Sequence, residues 1–115
     1  MNYFESRRNQ LVSGMSILGI CNGEIPILYT EASNTKKYAD GKPTDEYEFS
    51  IIKCQAKQLG ELKLLFPYAP GLAEQFNSQL EFGDLFKIPD IGTVEEVSIG
   101  IYKERLNFKF YCTQK

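Results

Sequence analysis

Lysines placed beside tyrosines are the residues of this chain best suited to holding a ligand. Lys36, Lys37 and Lys42 surround Tyr38, and Lys103, Arg105 and Lys109 are interleaved with Tyr102 and Tyr111. An ammonium that neutralises a phosphate releases counterions, and an exposed ring stacks on a base. Together they hold single-stranded nucleic acid with little sequence preference. Lys53 and Lys63 join this set on one condition, that their strands turn them outward alongside the final strands. The same residue types also decorate ordinary solvated loops and sheet surfaces, so their placement decides the matter.

Other chemistry is excluded by composition. The chain has no His, which removes Ser-His-Asp, Cys-His and His-metal sites. No glycine pattern matches a dinucleotide or phosphate-loop fingerprint. Glu95 and Glu96 are adjacent, so a strand would send them to opposite faces. Cys21, Cys54 and Cys112 are odd in number and far apart, which is no disulfide framework. We expect a non-enzyme with no cofactor and no metal.

The 115 residues suggest a single domain, and the hydrophobic fraction of 43% suffices for a core. Residues 1–10 read as a flexible arm or short edge element. No apolar run reaches the length of a membrane span, and the start lacks a signal-peptide core. A cytoplasmic protein without membrane contact is the expectation. Leu11 to Ile20 is β-like in composition, and Asn22-Gly23 predicts a first hairpin between Met15–Ile20 and Ile25–Tyr29. Residues 31–46 read as a long polar loop, with a turn at Asp40-Gly41-Lys42-Pro43.

The stretch from Tyr47 to Phe66 organises the chain. Tyr47, Phe49 and Ile51 alternate with Glu48, Ser50 and Ile52; after a polar connection, Leu62, Leu64 and Phe66 alternate with Lys63 and Leu65. A period of two marks half-buried strands, so this is a central hairpin. Pro67-Tyr68-Ala69-Pro70-Gly71 breaks the sheet. Leu72, Phe76 and Leu80 then share a helical face, too short to stand alone. Leu85, Phe86 and Ile88 form a short strand. Val97, Ile99 and Ile101 precede a turn at Lys103-Glu104-Arg105, and Leu106, Phe108, Phe110 and Cys112 follow it.

The predicted class is mostly β: a small antiparallel barrel or strongly twisted sheet with one short helix. It is like the oligonucleotide-binding (OB) fold, in many of whose members a helix follows the third strand. The expected core is Phe49, Ile51, Leu62, Leu64, Phe76, Leu80, Val97, Ile99, Ile101, Phe108 and Phe110.

Gly41-Lys42-Pro43-Thr44, the strand around Tyr47–Ile51, the Leu-Lys-Leu strand at Leu62–Leu64 and Phe82-Gly83-Asp84 carry a resemblance. From about Gly41 to the C-terminus the chain resembles small accessory proteins of conjugative elements and plasmids of Gram-positive bacteria. That resemblance implies single-stranded-DNA binding or help to a helicase, and it assigns no individual residue.

Two functions compete. In the first, the chain binds single-stranded nucleic acid through Lys36, Lys37, Tyr38, Lys42, Lys53, Lys63, Tyr102, Lys103, Arg105, Lys109 and Tyr111. In the second it is a protein-interaction module, or an inhibitor from a phage or mobile element, meeting a host protein through an acidic surface. Residues 81–96 supply that surface, with Glu81, Asp84, Asp90, Glu95 and Glu96 against Lys87 alone. A homo-oligomer paired through exposed sheet edges is a further expectation.

Overall fold

The computed structural model describes residues 16–57 and 59–115. Its strands are β1 (Ile27–Ala39), β2 (Lys42–Ala56), β3 (Gly60–Pro67), β4 (Leu85–Phe86), β5 (Gly92–Tyr102) and β6 (Arg105–Gln114). Residues 16–22 are helical (α1), α2 spans Leu72–Gln79, and a 3-10 turn covers Ile88–Asp90. The strands form one sheet in the order β4-β1-β2-β3-β6-β5. All pairings are antiparallel except β3 with β6.

This order puts β4 and β5, neighbours in sequence, at opposite edges of the sheet. Residues 87–91 alone link them. Fully extended, that link reaches about 20 Å, and the 3-10 turn within it shortens the reach. Six flat strands would hold the edges about 24 Å apart. The sheet therefore curls into a half-barrel. With β4 and β5 counted as one interrupted strand, β2 and β3 are the second and third and α2 follows the third, so the mostly β, OB-like expectation holds.

Inside the curl, alternate residues meet. Ile27 and Tyr29 of β1, Ile52 and Cys54 of β2, Leu62, Leu64 and Phe66 of β3, and Phe108, Phe110 and Cys112 of β6 are buried together. Leu72, Ala73 and Phe76 of α2 cover one part of this surface, with the Phe76 ring 5.9 Å from that of Phe66. Asn77 pins the helix to a bulge in β1 between Tyr29 and Glu31. Its carboxamide accepts from the Tyr29 hydroxyl and from the Ala32 N–H (3.0 Å), and donates to the Ala32 carbonyl (2.9 Å). These bonds serve backbone groups on the edge of β1 that β4, paired only with Ile27 and Leu28, does not reach.

Several expectations are corrected. Residues 16–20 are helical, not a strand. Ile17, Ile20 and Cys21 have helical spacing and pack on the core, while Leu18 is exposed. Gly23, at φ 80°, ends the helix: its N–H bonds the Ile20 carbonyl and that of Glu24 bonds Gly19. This is a Schellman cap. Asn-Gly suits a left-handed position, which a hairpin turn and a helix end both require. The described residues accordingly hold two helices where one was expected. The expected arm at residues 1–10, with Leu11 to Met15, lies outside the described residues.

Residues 31–46 are not a loop. Residues 31–35 pair with β2 inside the body of the sheet, and those from 36 to 46 form the projecting arm of the β1–β2 hairpin, closed by Asp40 (φ 54°) and Gly41 (φ 77°) between the paired Ala39 and Lys42. Consecutive positive φ values make this a type I′ turn. The arm is polar on both faces because it runs past the end of β3, whose last pairing is Phe49 with Pro67. Thr44 Oγ1 donates to the Lys37 carbonyl (3.0 Å), and Lys37 pairs with Glu46 (3.7 Å).

The expected core was also placed partly on the wrong side. Leu62, Leu64, Phe76, Phe108 and Phe110 are central to it, and Leu80 and Val97 lie at its margin. Phe49 and Ile51 occupy the opposite face of β2, where Ile51 is buried as expected and Phe49 is half-buried. Ile99 and Ile101 have the right parity but are 54% and 77% exposed, because β5 outruns the helices that cover the core.

Phe108→Ala should lower the unfolding free energy by about 3–5 kcal/mol, through lost transfer energy and a residual cavity. Ile99→Ala should cost under about 1 kcal/mol, since half its surface is already in water. Urea denaturation of both variants checks the assignment; equal losses would refute it.

Candidate nucleic-acid interface

On the face opposite the core, strand register brings distant lysines into one row. Lys53 of β2 pairs with Lys63 of β3, and Lys63 pairs with Lys109 of β6. Ser98 of β5 extends the row beyond Lys109, and Glu31 of β1 begins it. All three lysines are exposed. Directly opposed residues hold their Cβ atoms about 5 Å apart, and like charges so placed repel. Glu31 relieves Lys53 at 3.2 Å. Among the described residues, Lys63 and Lys109 have no ion-pair partner.

Two shallow clefts flank Lys63. One, of about 350 Å³, lies between β3 and the β5–β6 hairpin, where Ser98 and Gly100 leave room beside Lys63, Asn107 and Lys109. The other, of about 190 Å³, lies between Lys63, Lys53 and Thr30. Glu61 lines both clefts, and Glu31 and Glu96 add carboxylates to the same face, beside Lys53 and Tyr111 respectively.

Aromatic rings continue the same face. The next row pairs Ile51 with Leu65 and Leu65 with Tyr111. Phe49 meets Tyr111 edge-on, with centroids 5.9 Å apart. Beyond it Tyr47 and Tyr68 lie 4.8 Å apart at a tilt of 31°. Lys36 places its Nζ 5.8 Å from the centre of the Tyr47 ring, within cation–π range. From the lysine row to Tyr47 is about 20 Å of strand.

The structure thus assembles Lys53, Lys63, Lys109 and Tyr111, with Lys36 at the far end of the same face. The other expected residues lie apart from them. Lys37 turns to Glu46. Tyr38 and Lys42 are exposed at the arm tip, and Lys42 is about 36 Å along β2 from Lys53. Lys103 lies at the other end of the sheet, in the turn closed by the backbone pairing of Tyr102 with Arg105. Tyr47, Phe49 and Tyr68 are the members that sequence reasoning missed. The parity of Lys53 was the available signal: a charged residue two and four positions past Ile51 and Phe49 puts all three on the face opposite Ile52 and Cys54.

Glu81 and Asp84 of the acidic stretch lie beside β4 and Glu95 and Glu96 lie on β5, the two edges that residues 87–91 tie together. Asp84 accepts from the Glu81 N–H (2.8 Å), and Glu95 accepts from Thr113 (3.1 Å).

The cysteine side chains belong to the core side of the sheet, although Cys54 also borders the smaller cleft. Cys54 and Cys112 are buried and Cys21 is partly so. Burial, then the nearby Cys21 and Glu95, pushes the Cys112 thiol up to about 12; burial and Cys112 push Cys54 higher still. Thiols held protonated are poor nucleophiles and poor ligands. Among the described residues no His, Cys, Asp and Glu group could hold a metal ion, and no helix is long and apolar enough to cross a membrane. No family model, curated protein or solved structure matches the chain.

Two measurements follow from these charges. Lys63→Gln removes the centre of the lysine row and should raise stability by about 0.2–1 kcal/mol at low ionic strength. The gain should shrink in high salt, where exposed charges are screened; urea midpoints in low and high salt read both. The thiols act in the alkaline range. Their raised folded pKa means that the folded state keeps protons the unfolded state loses, so their contribution is complete below the ordinary thiol value of 9.0 and declines as pH rises towards 12. Cys112→Ala should flatten that alkaline decline in a pH series of denaturation curves.

Proposed function

We propose that this chain is a single-stranded nucleic-acid-binding accessory protein with little sequence preference. One observation carries the reading: Lys53, Lys63 and Lys109, remote in sequence, stand in a single exposed row, and beyond the buried Ile51 and Leu65 the same face carries the half-buried Tyr111, Phe49 and Tyr68 and the exposed Tyr47. A row of like charges costs folding free energy unless a counter-charge occupies it. Phosphates at the row and bases on the rings match the two halves of this surface. The face of the second and third strands is also where OB barrels take oligonucleotides. That correspondence supports the reading, as does the resemblance to accessory proteins of conjugative elements.

In this reading Lys53, Lys63 and Lys109 contact the backbone, and Tyr111, Tyr47 and Tyr68 stack. Lys36 orients Tyr47 and adds a cation. Glu61 opposes a polyanion and limits affinity. Binding draws on fixed side-chain positions, and no bond is made or broken.

Fluorescence anisotropy with oligo-dT of about 20 nucleotides tests this. Three to five phosphate contacts give a log–log salt slope of about −2 to −3.5. Lys109→Gln should flatten the slope by about 0.7, and Tyr111→Ala should cost about 1–3 kcal/mol with the slope unchanged. Glu61→Gln should tighten binding. Lys42→Gln, at the distant arm tip, should change it least. If single strands fail to bind at low salt and tens of micromolar protein, the reading fails and a protein partner becomes the better one.

A further inference from the structure

The edge formed by β5 has a shape that the proposed ligand face does not use. It closes the sheet order, and its outer edge has no strand partner among the described residues. Sheet edges are ordinarily blunted by bulges, prolines or inward-pointing charges. β5 has one such device, a bulge between Val94 and Glu96, in its first half. From Glu96 to Tyr102 the pairing with β6 is regular and the sequence has no Pro. Here Ile99 and Ile101, with Leu106 beside them on β6, are 54%, 77% and 49% exposed. An open, regular strand edge beside a strip of exposed aliphatic side chains is a template for another strand.

The charges on the strand identify the occupant. β5 is acidic where it begins its regular run, at Glu95 and Glu96, and it ends at the turn Lys103-Glu104-Arg105, whose formal charges leave one net positive. An antiparallel copy of the same strand brings each acidic end against a basic tip; a parallel copy brings like ends together. Two-fold pairing of one surface with itself is also the commonest way that chains dimerise.

We propose that two copies of this chain pair antiparallel through β5, with the two-fold axis at Ile99. Ile99 of one copy then faces Ile99 of the other, and Val97 faces Ile101. The exposed aliphatic strip becomes continuous across the junction. The two sheets merge into one, and both lysine rows lie on the same face of it. The pairing uses backbone groups of the edge and side chains of the core-side face, so it stands whether or not nucleic acid binds.

Sedimentation velocity on the full chain, treated with nuclease so that nucleic acid cannot bridge copies, reads the assembly. A dimer is expected across a dilution series reaching about 100 µM, dissociating by mass action at the low end. Ile99→Lys should give a monomer with an unchanged far-ultraviolet circular dichroism spectrum, since the side chain is already half in water. Ile99→Cys reads the register under mild oxidation. Directly opposed antiparallel residues have Cα atoms about 4.5–5.5 Å apart, within disulfide reach. Ile99→Cys should therefore cross-link to a dimer, while Ile101→Cys and the wild-type chain, with its three native cysteines, should not. A wild-type monomer at the highest concentration overturns the proposal. So does a dimer that survives Ile99→Lys, or an Ile99→Cys variant that does not cross-link.

Discussion

The parallel pairing of β3 with β6 is the contact on which the rest of the structure depends. It joins a three-stranded unit, β1-β2-β3, to the β5–β6 hairpin. Parallel neighbours need a long crossover, and here it is everything between Pro67 and Arg105. Leu62 and Leu64 meet Phe108 and Phe110 on the inner side of this seam, while Lys63 meets Lys109 on the outer side. Burial of the inner set drives the pairing, at about 1.5–3 kcal/mol per side chain. The repulsion on the outer side is smaller, about 0.2–1 kcal/mol per pair. The core therefore wins, and the lysine row is held in place by a force that has nothing to do with it.

That difference in scale explains how a surface can be kept charged at the expense of stability. Alternation along a strand couples the two faces rigidly. A one-residue slip of β6 against β3 would exchange Phe108 and Phe110 for Lys109 and Tyr111 in the core. Register at the candidate site is thus fixed by the least negotiable part of the molecule. The rings beyond the row are positioned in the same way: Tyr111 lies between Phe110 and Cys112, and Phe49 lies next to the buried Ser50, whose hydroxyl is bonded to Asn34 at 2.9 Å.

Much of the fold was legible because period two is a strong signal. The strands from Phe49 to Ala56, Leu62 to Phe66 and Leu106 to Cys112 show it, and the spacing of Leu72 and Phe76 marks the one helix predicted. What misled was local chemistry with two uses. Asn22-Gly23 serves a helix cap as readily as a hairpin. Residues 36–46 carry no apolar alternation because a two-stranded arm beyond the core has no inside. The site was partly legible for a related reason. Lys63 and Lys109 could be named from composition, but their adjacency depends on a parallel register between segments 46 residues apart, and nothing local encodes it.

A formal charge of −2 does not argue against a polyanion ligand on such a molecule. At physiological salt, exposed charges act over about 8 Å, so a surface is judged by its neighbours and not by the total. Near the lysine row those neighbours are Glu31, which is committed to Lys53, Glu61, which stands in the clefts without an ion-pair partner among the described residues, and Glu96, which is paired with Tyr111. Three lysines and three carboxylates leave the local charge close to balanced. Such a balance favours weak, rapidly reversible contact over tight capture, with the rings supplying the part of the affinity that salt does not remove. An accessory protein that must let its strand go gains more from this balance than from a larger basic patch.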